Sequence, residues 1–293
     1  VAASATAVYD EVAIYPTALS GTRLAAHNAA ARTAWSGDTS GARIGRLLDI
    51  GGWSATDRNI DTGVSVLQSV ELGGNLLAAL QKVEDTEQGR LFVTGDGKVR
   101  FIARDKLLQP PYTTSQGTFG DSGTELEYED LTYRYDDSLI YNEAVVSRLN
   151  GTAQTVKDTT SQTRYLRRTR VLDGLLHTSD VTSVDLANWI LAHYKDPLLR
   201  VTDLALHPTA GNEATHFPQV LGRELADRVT VRRIPQNLGA AIDQVVLIEG
   251  VEHNVSAVEW VTKWNLSPAE TQAYWIVGVV GASEVGQTTR VGF

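Results

Sequence analysis

The strongest constraint on this chain is the periodicity of its second half. From Tyr128 onward, runs that alternate apolar and polar residues recur at short intervals: residues 142–148, 199–207, 228–232, 243–249 and 258–266. A period of two is that of a strand with one face buried. Runs spaced in this way predict an antiparallel sheet that curls or closes into a barrel. A further strand is expected over residues 165–171. One helix interrupts the series at residues 181–194, with Thr182 or Ser183 as its cap and Leu186, Trp189, Ile190 and Tyr194 on its buried face. Asp196-Pro197 stops it, because the residue before a proline is driven out of helical geometry. No repeat of fixed period is present.

The first half has a different texture. Residues 40–50 read as a helix with Ile44, Leu47 and Leu48 on one face, closed by Gly51-Gly52. Val64, Val66 and Val70 suggest a short alternating strand. Residues 72–88 read as a second helix, with Leu76, Leu77, Leu80 and Val83 in one stripe and Gly89 at its end. Two alternating runs around Gly95-Asp96-Gly97-Lys98 then predict a hairpin. Residues 108–123 are rich in Pro, Thr, Ser and Gly and read as an exposed loop or an inter-domain crossing. The expected class is α+β: a small helix–hairpin domain over residues 35–124, then a mostly antiparallel barrel-like domain with one helix over residues 125–293. Ahead of both, residues 8–15 read as a strand, Ser20 as an N-cap and Leu24 as an early position of a short helix.

Of the 293 residues, 42% are apolar and 21% charged, a globular profile with no apolar run near the roughly 20 residues of a membrane span. The net charge of -9 argues against sequence-independent DNA binding, since an acidic chain is repelled by a phosphate backbone. The basic exception is Arg164, Arg167, Arg168 and Arg170, read as a solvated strand or a subunit contact. The absence of cysteine removes disulfide scaffolds, thiolate zinc sites and cysteine nucleophiles. The absence of methionine, with Val1 at the start, suggests the C-terminal part of a longer polypeptide.

No residue stands out as catalytic, cofactor-binding or metal-binding. His27, His177, His193, His207, His216 and His253 have no familiar ligand spacing. There is no Gly-x-Ser-x-Gly elbow, and Gly95 to Lys98 joins two strands where a phosphate cradle would open a helix. The acidic groups Glu84/Asp85/Glu87, Glu127/Glu129/Asp130 and Asp136/Asp137 lie among other charges and read as solvent-facing, not as the separated carboxyl pair of a glycosidase. Trp35, Trp53, Trp189, Trp260, Trp264 and Trp275 could stack on sugars, but packing is the simpler reading, and Trp260 and Trp264 share one strand face.

Two resemblances follow from these residues. Residues 9–30, with Asp10-Glu11-Val12-Ala13-Ile14-Tyr15, Ala18-Leu19-Ser20 and an Ala-rich helix, resemble the end of laminin-G/concanavalin-like jelly-roll domains. That would place a module for host surface glycan upstream; a plain connector is the other reading of residues 1–34. From Trp35 onward the order of elements resembles minor tail proteins of long-tailed phages infecting actinobacteria, and more broadly the baseplate-hub or late-control family. The stretches carrying this are residues 40–53, 61–63 and 76–101, the run Leu221-Gly222-Arg223-Glu224-Leu225 with Trp260 to Pro268, and the tail from Tyr274 to Phe293. The resemblance implies a non-enzymatic virion protein at the tail tip, a homotrimeric ring around a lumen that genomic DNA crosses in transit. It further implies contacts with distal tail, tape-measure and receptor-binding proteins. An acidic chain suits a conduit that DNA must pass without sticking. The alternatives are a tail-associated cell-wall hydrolase and a carbohydrate-binding adhesion module.

Overall fold

The computed structural model describes residues 14–33, 35–70, 74–135, 139–235, 241–269, 273–275 and 289–291. Helix α1 (Gly21–Thr33) starts as expected, with Ser20 Oγ accepting from the Arg23 amide at 3.2 Å. The strand expected before it falls outside the described residues, apart from Ile14 and Tyr15.

Helix α2 (Ser40–Ile50) is capped by Thr39, whose side chain accepts from the Ala42 amide, and it buries Ile44, Leu47 and Leu48. Strand β1 (Arg58–Ile60) follows. Helix α3 (Leu76–Glu87) is capped by Asn75, a start later than the sequence suggested. Its end is also different. Gln88, at φ 57, takes the left-handed position expected of Gly89. Gly89 is required for another reason: a Cβ there would lie 2.4 Å from the Ile102 carbonyl oxygen. Strands β2 (Arg90–Val93) and β3 (Val99–Ile102) form the expected hairpin, with Gly97 at φ 83, and β1 adds in parallel on the far side of β3. Ile44, Leu47, Leu48, Val83 and Phe101 fill the core between this sheet and the two helices. The valines read as a strand do not form one. Val64 and Val66 are exposed while Ser65 and Leu67 are buried, and the segment makes isolated bridges, from Thr39 to Val66 and from Leu67 to His177, in place of a strand ladder.

The second half opens with β4 (Thr118–Phe119) and β5 (Asp130–Tyr135). Strands β6 (Glu143–Arg148) and β7 (Gln154–Lys157) lead into α4 (Thr159–Tyr165) and β8 (Thr169–Leu175). Helix α5 (Asp180–Tyr194) has Ser179 as its cap, ahead of the two residues expected. It covers the small sheet β7-β6-β8 through Leu186, Ala187, Ile190 and Leu191. The expected strand at residues 165–171 starts late, because α4 occupies its beginning and Leu166 turns the chain at φ 62. Then come β9 (Leu199–Leu206), α6 (Glu213–Gly222), β10 (Arg228–Arg233), β11 (Ile242–Val255), β12 (Trp260–Pro268), β13 (Ala273–Trp275) and β14 (Thr289–Val291). The described residues of this half therefore hold three helices where one was expected.

The main sheet has the order β4-β10-β11-β12-β9-β5. All neighbours are antiparallel except β4 with β10. The sheet curls into a half-barrel. Leu131 and Tyr133 on β5 line the same small cavity as Val231 and Arg233 on β10, although three strands lie between them in the sheet order. Phe119, Leu204, Val229, Val246, Ile248 and Trp264 fill the inside, each almost fully buried, and α6 adds Val220. The fold is thus α+β with a barrel-like sheet, as the periodicity required.

Candidate assembly surface

A sheet that curls without closing leaves two edges, and unpaired backbone groups along an edge are sites for another strand. The β4 edge is obstructed. Only two residues of β4 pair with β10, and the segment before them is pinned across the edge, with the Gln116 amide donating to the Arg228 carbonyl at 2.8 Å. Arg223 clamps Gln116 from the other side, donating to its side-chain oxygen at 2.8 Å. Beyond β4, the Ile234 amide donates to Asp121 at 2.8 Å, and Arg232 bridges Asp243 and Glu125. The Ser122 hydroxyl, with Arg232 adding to it, holds the Glu125 carboxyl at about 2.

The β5 edge is open among the described residues. β5 pairs with β9 on one side, and no described strand lies on the other. Leu131 and Tyr133 face the cavity side, while Asp130, Thr132 and Arg134 take the alternate, outer face. Tyr133 is 49% exposed and Tyr135 70%.

Polar contacts tie the helix–hairpin unit to the half-barrel part of the chain. Arg90 grips Glu249 on β11 with Nε at 3.1 Å and Nη2 at 2.9 Å, and Ser267 on β12 also donates to Glu249 at 2.6 Å. Burial works against the Arg90 charge, but Glu249 outweighs it and raises the Arg90 pKa. At the hairpin turn, the Gly95 amide donates to Glu224 at 2.8 Å.

Comparison with known protein families and with curated proteins finds no match to this chain. Solved structures do share its architecture. A tail protein from Neisseria meningitidis MC58 aligns at TM-score 0.51 and 15% identity, over 80% of this chain and 67% of that one. The 43 kDa tail protein of prophage MuSo2 from Shewanella oneidensis aligns at TM-score 0.50 and 11% identity, over 80% and 64%. A chain of the native gene transfer agent virion aligns at TM-score 0.51 and 13% identity, over 79% and 47%.

The chain shares its fold with these tail and virion proteins. It spans between about half and two thirds of the length of these tail and virion proteins.

Within this fold, the residues weighed for chemistry are dispersed. His177 and His216 are buried, and their ring nitrogens lie on the Thr86 and Glu127 carbonyls at 3.3 and 2.7 Å. Among the described residues no group of three His, Asp or Glu side chains is placed to hold a metal ion. Glu127, Glu129 and Asp130 are exposed, as expected, and Asp136/Asp137 lie outside the described residues. The first acidic group departs from expectation. Asp85 is exposed, but Glu87 is wholly buried and accepts from Ser40 Oγ at 2.9 Å, the Ser65 amide at 2.8 Å and the Val64 amide at 3.1 Å. Glu84 is half-buried, accepts from the Leu91 amide at 2.7 Å, and has its pKa raised by burial.

Trp264 is core, as expected, and Trp260 on the same face packs edge-on against Phe217. Trp189 leans on His193 with ring centres 4.4 Å apart, and Trp53 is 44% exposed. The arginine run divides. Arg167 pairs with Glu143; burial alone would raise that carboxyl, but hydrogen bonds from Arg167 and Thr169 hold it below its usual range. Arg170 lies over Tyr141 and Tyr194, at 5.3 and 5.8 Å from the ring centres. No helix among the described residues is long and apolar enough to cross a membrane.

Proposed function

We propose that this chain is a structural subunit of a phage tail tip, of the baseplate-hub type, and that it acts without turning over a substrate. In this reading it sits in the virion as a homotrimeric ring around the tail axis. Residues 35–124 form an inserted helix–hairpin domain and residues 125–293 the ring-building domain. Distal tail, tape-measure and receptor-binding proteins are its neighbours, and genomic DNA crosses the lumen in transit. A host surface glycan would be met through a module ahead of residue 35.

The observation that carries the reading is the half-barrel itself: a sheet curled far enough for β5 and β10 to line one interior, with one edge left unpaired among the described residues. Such an edge lets shape and backbone pairing, not a cleft, do the protein's job. The likeness to tail proteins from two bacterial genomes and to a virion particle supports the same reading. The net charge of -9 suits a wall that DNA passes without adhering, if the carboxylates face the lumen.

The test is electron cryo-microscopy of tails that carry a labelled copy of this chain. The expected result is a ring of copies centred on the axis at the tip. Density away from the axis, or a tail without the chain, overturns the proposal.

A further inference from the structure

Three arginines converge where the small β7-β6-β8 sheet and α5 meet the half-barrel, and no described carboxylate balances them. Arg134 on β5 stands directly opposite Arg200 on β9. Opposed residues on an antiparallel ladder hold their Cβ atoms about 4.5–5.5 Å apart, so like charges there repel unless something neutralises them. Leu199 and Val201 point to the inside of the sheet, which places Arg200 between them on the outer face. An outward arginine is ordinarily solvated, yet Arg200 is only 7% exposed. The end of α5 lies over it, with the Tyr194 ring centre 5.9 Å from its guanidinium carbon. Arg170 on β8 reaches the same ring at 5.8 Å and the Tyr141 ring at 5.3 Å. Aromatic faces attract cations but leave their charge in place. Among the described residues, none of the three side chains has an ion-pair or hydrogen-bond partner. The carboxylates on neighbouring elements are engaged elsewhere: Asp203 with Lys263 at 3.0 Å, Glu249 with Arg90 at 2.9 Å, Asp158 with Lys195 at 3.0 Å, and Glu143 with Arg167. The Tyr194 carbonyl, at the negative end of α5, is taken by the Tyr141 amide at 2.8 Å. A buried guanidinium with no hydrogen-bonded counter-charge is costly.

We propose that Arg134, Arg170 and Arg200 form a seat for a small oxyanion of the phosphate class. Guanidinium groups present planar forks of N–H donors that match phosphate oxygens, and such charge-assisted bonds are the strong ones. The donors are graded in depth. Arg200 is the floor, Arg170 is half-buried, and Arg134 is exposed at the entrance. A bound oxyanion supplies the missing negative charge and links β5 and β9 of the half-barrel to β8 of the small sheet. An extended polyanion fits less well, because the deepest donor is almost wholly covered. The seat lies within one chain and uses side chains alone. It therefore leaves the backbone groups of the β5 edge free, and it stands or falls separately from the ring reading.

The test titrates inorganic phosphate into the full chain at constant ionic strength, followed by calorimetry and by thermal denaturation. A single phosphate per chain is expected to bind with saturation and to raise the Tm, as a ligand of the folded state must. Chloride in its place is expected to do neither. R134A, a change at an exposed position, is expected to weaken phosphate binding by about tenfold, the loss of one charge-assisted contact. R200M removes the deepest donor and is expected to abolish binding. Its Tm without phosphate is expected to stay at or above that of the native chain, because an uncompensated buried charge is gone. Absence of saturable binding, or binding equal in R134A, R200M and the native chain, overturns the proposal. So does phosphate binding that appears only in D136N/D137N, since the acidic pair that follows Arg134 in sequence would then be the counter-charge.

Discussion

Glu87 illustrates how far a single side chain can depart from its neighbourhood in sequence. It sits among charges near the end of a helix, where a solvated position is the ordinary expectation. It instead turns inward and gathers the Ser40 hydroxyl from the start of α2 and two amides from the segment that follows β1. Removing it strands buried donors, each costly to leave unpaired. E87A is expected to lower stability by about 3 kcal/mol, and E87Q by less, read as a shift in urea midpoint with unchanged slope. Nothing local could have announced this, because the donors are more than twenty residues away in the chain. The same limit applies to His177, held between Ser183 at 3.1 Å and the Thr86 carbonyl at 3.3 Å. Burial first, and then Arg104, lowers its pKa below the usual value. The unfolded chain therefore binds a proton that the folded chain resists. The His177 contribution to stability is full above about pH 6.5 and declines as pH falls below that, until the lower folded pKa is reached. H177Q is expected to flatten this part of the profile, measured as urea midpoints between about pH 7.5 and about pH 5.5.

Elements were legible where local chemistry decides them. The helix α2, the β2–β3 hairpin around Asp96-Gly97, and the strands β9 to β12 all follow from periodicity and turn residues. The exceptions have particular causes. Helix α6 carries Pro218 in its interior, which breaks the pattern a helix normally shows. Strand β4 is two residues long and pairs in parallel with a partner more than a hundred positions away, so no window of sequence contains it. The end of α3 was misplaced by one residue because Gln88 accepts the left-handed conformation that glycine adopts more cheaply. Two substitutions separate the roles of these neighbours. Q88G relieves a positive φ and is expected to stabilise by about 0.5–1 kcal/mol. G89A drives a Cβ into the Ile102 carbonyl and is expected to cost about 2 kcal/mol. Thermal denaturation of the two variants should therefore move in opposite directions.

At the scale of the whole molecule, the helix–hairpin core takes in Leu176 from the second half, while polar contacts tie it to the half-barrel. Among the described residues the helix–hairpin core and the half-barrel core share no buried residue, and Arg90 to Glu249 is one tie between them. Both side chains are about a third exposed, so solvent screening limits the pair to about 0.5–1 kcal/mol. R90A is expected to raise hydrogen exchange in β2 and β3 while leaving β11 and β12 protected. Equal loss of protection in both regions would show that the two cores unfold as one. These joints were invisible to sequence reading, since pattern reports which face of an element is buried and not what covers it. The interior of the half-barrel has a further consequence. Trp264 and Phe119 meet edge to face at 5.3 Å inside the curl, in a packed cluster of buried side chains beside which only a small cavity is found among the described residues. One subunit is therefore a solid stave and not a pipe. Any bore in an assembly of these chains must open between the staves, so its gauge would be fixed by how many stand in the circle.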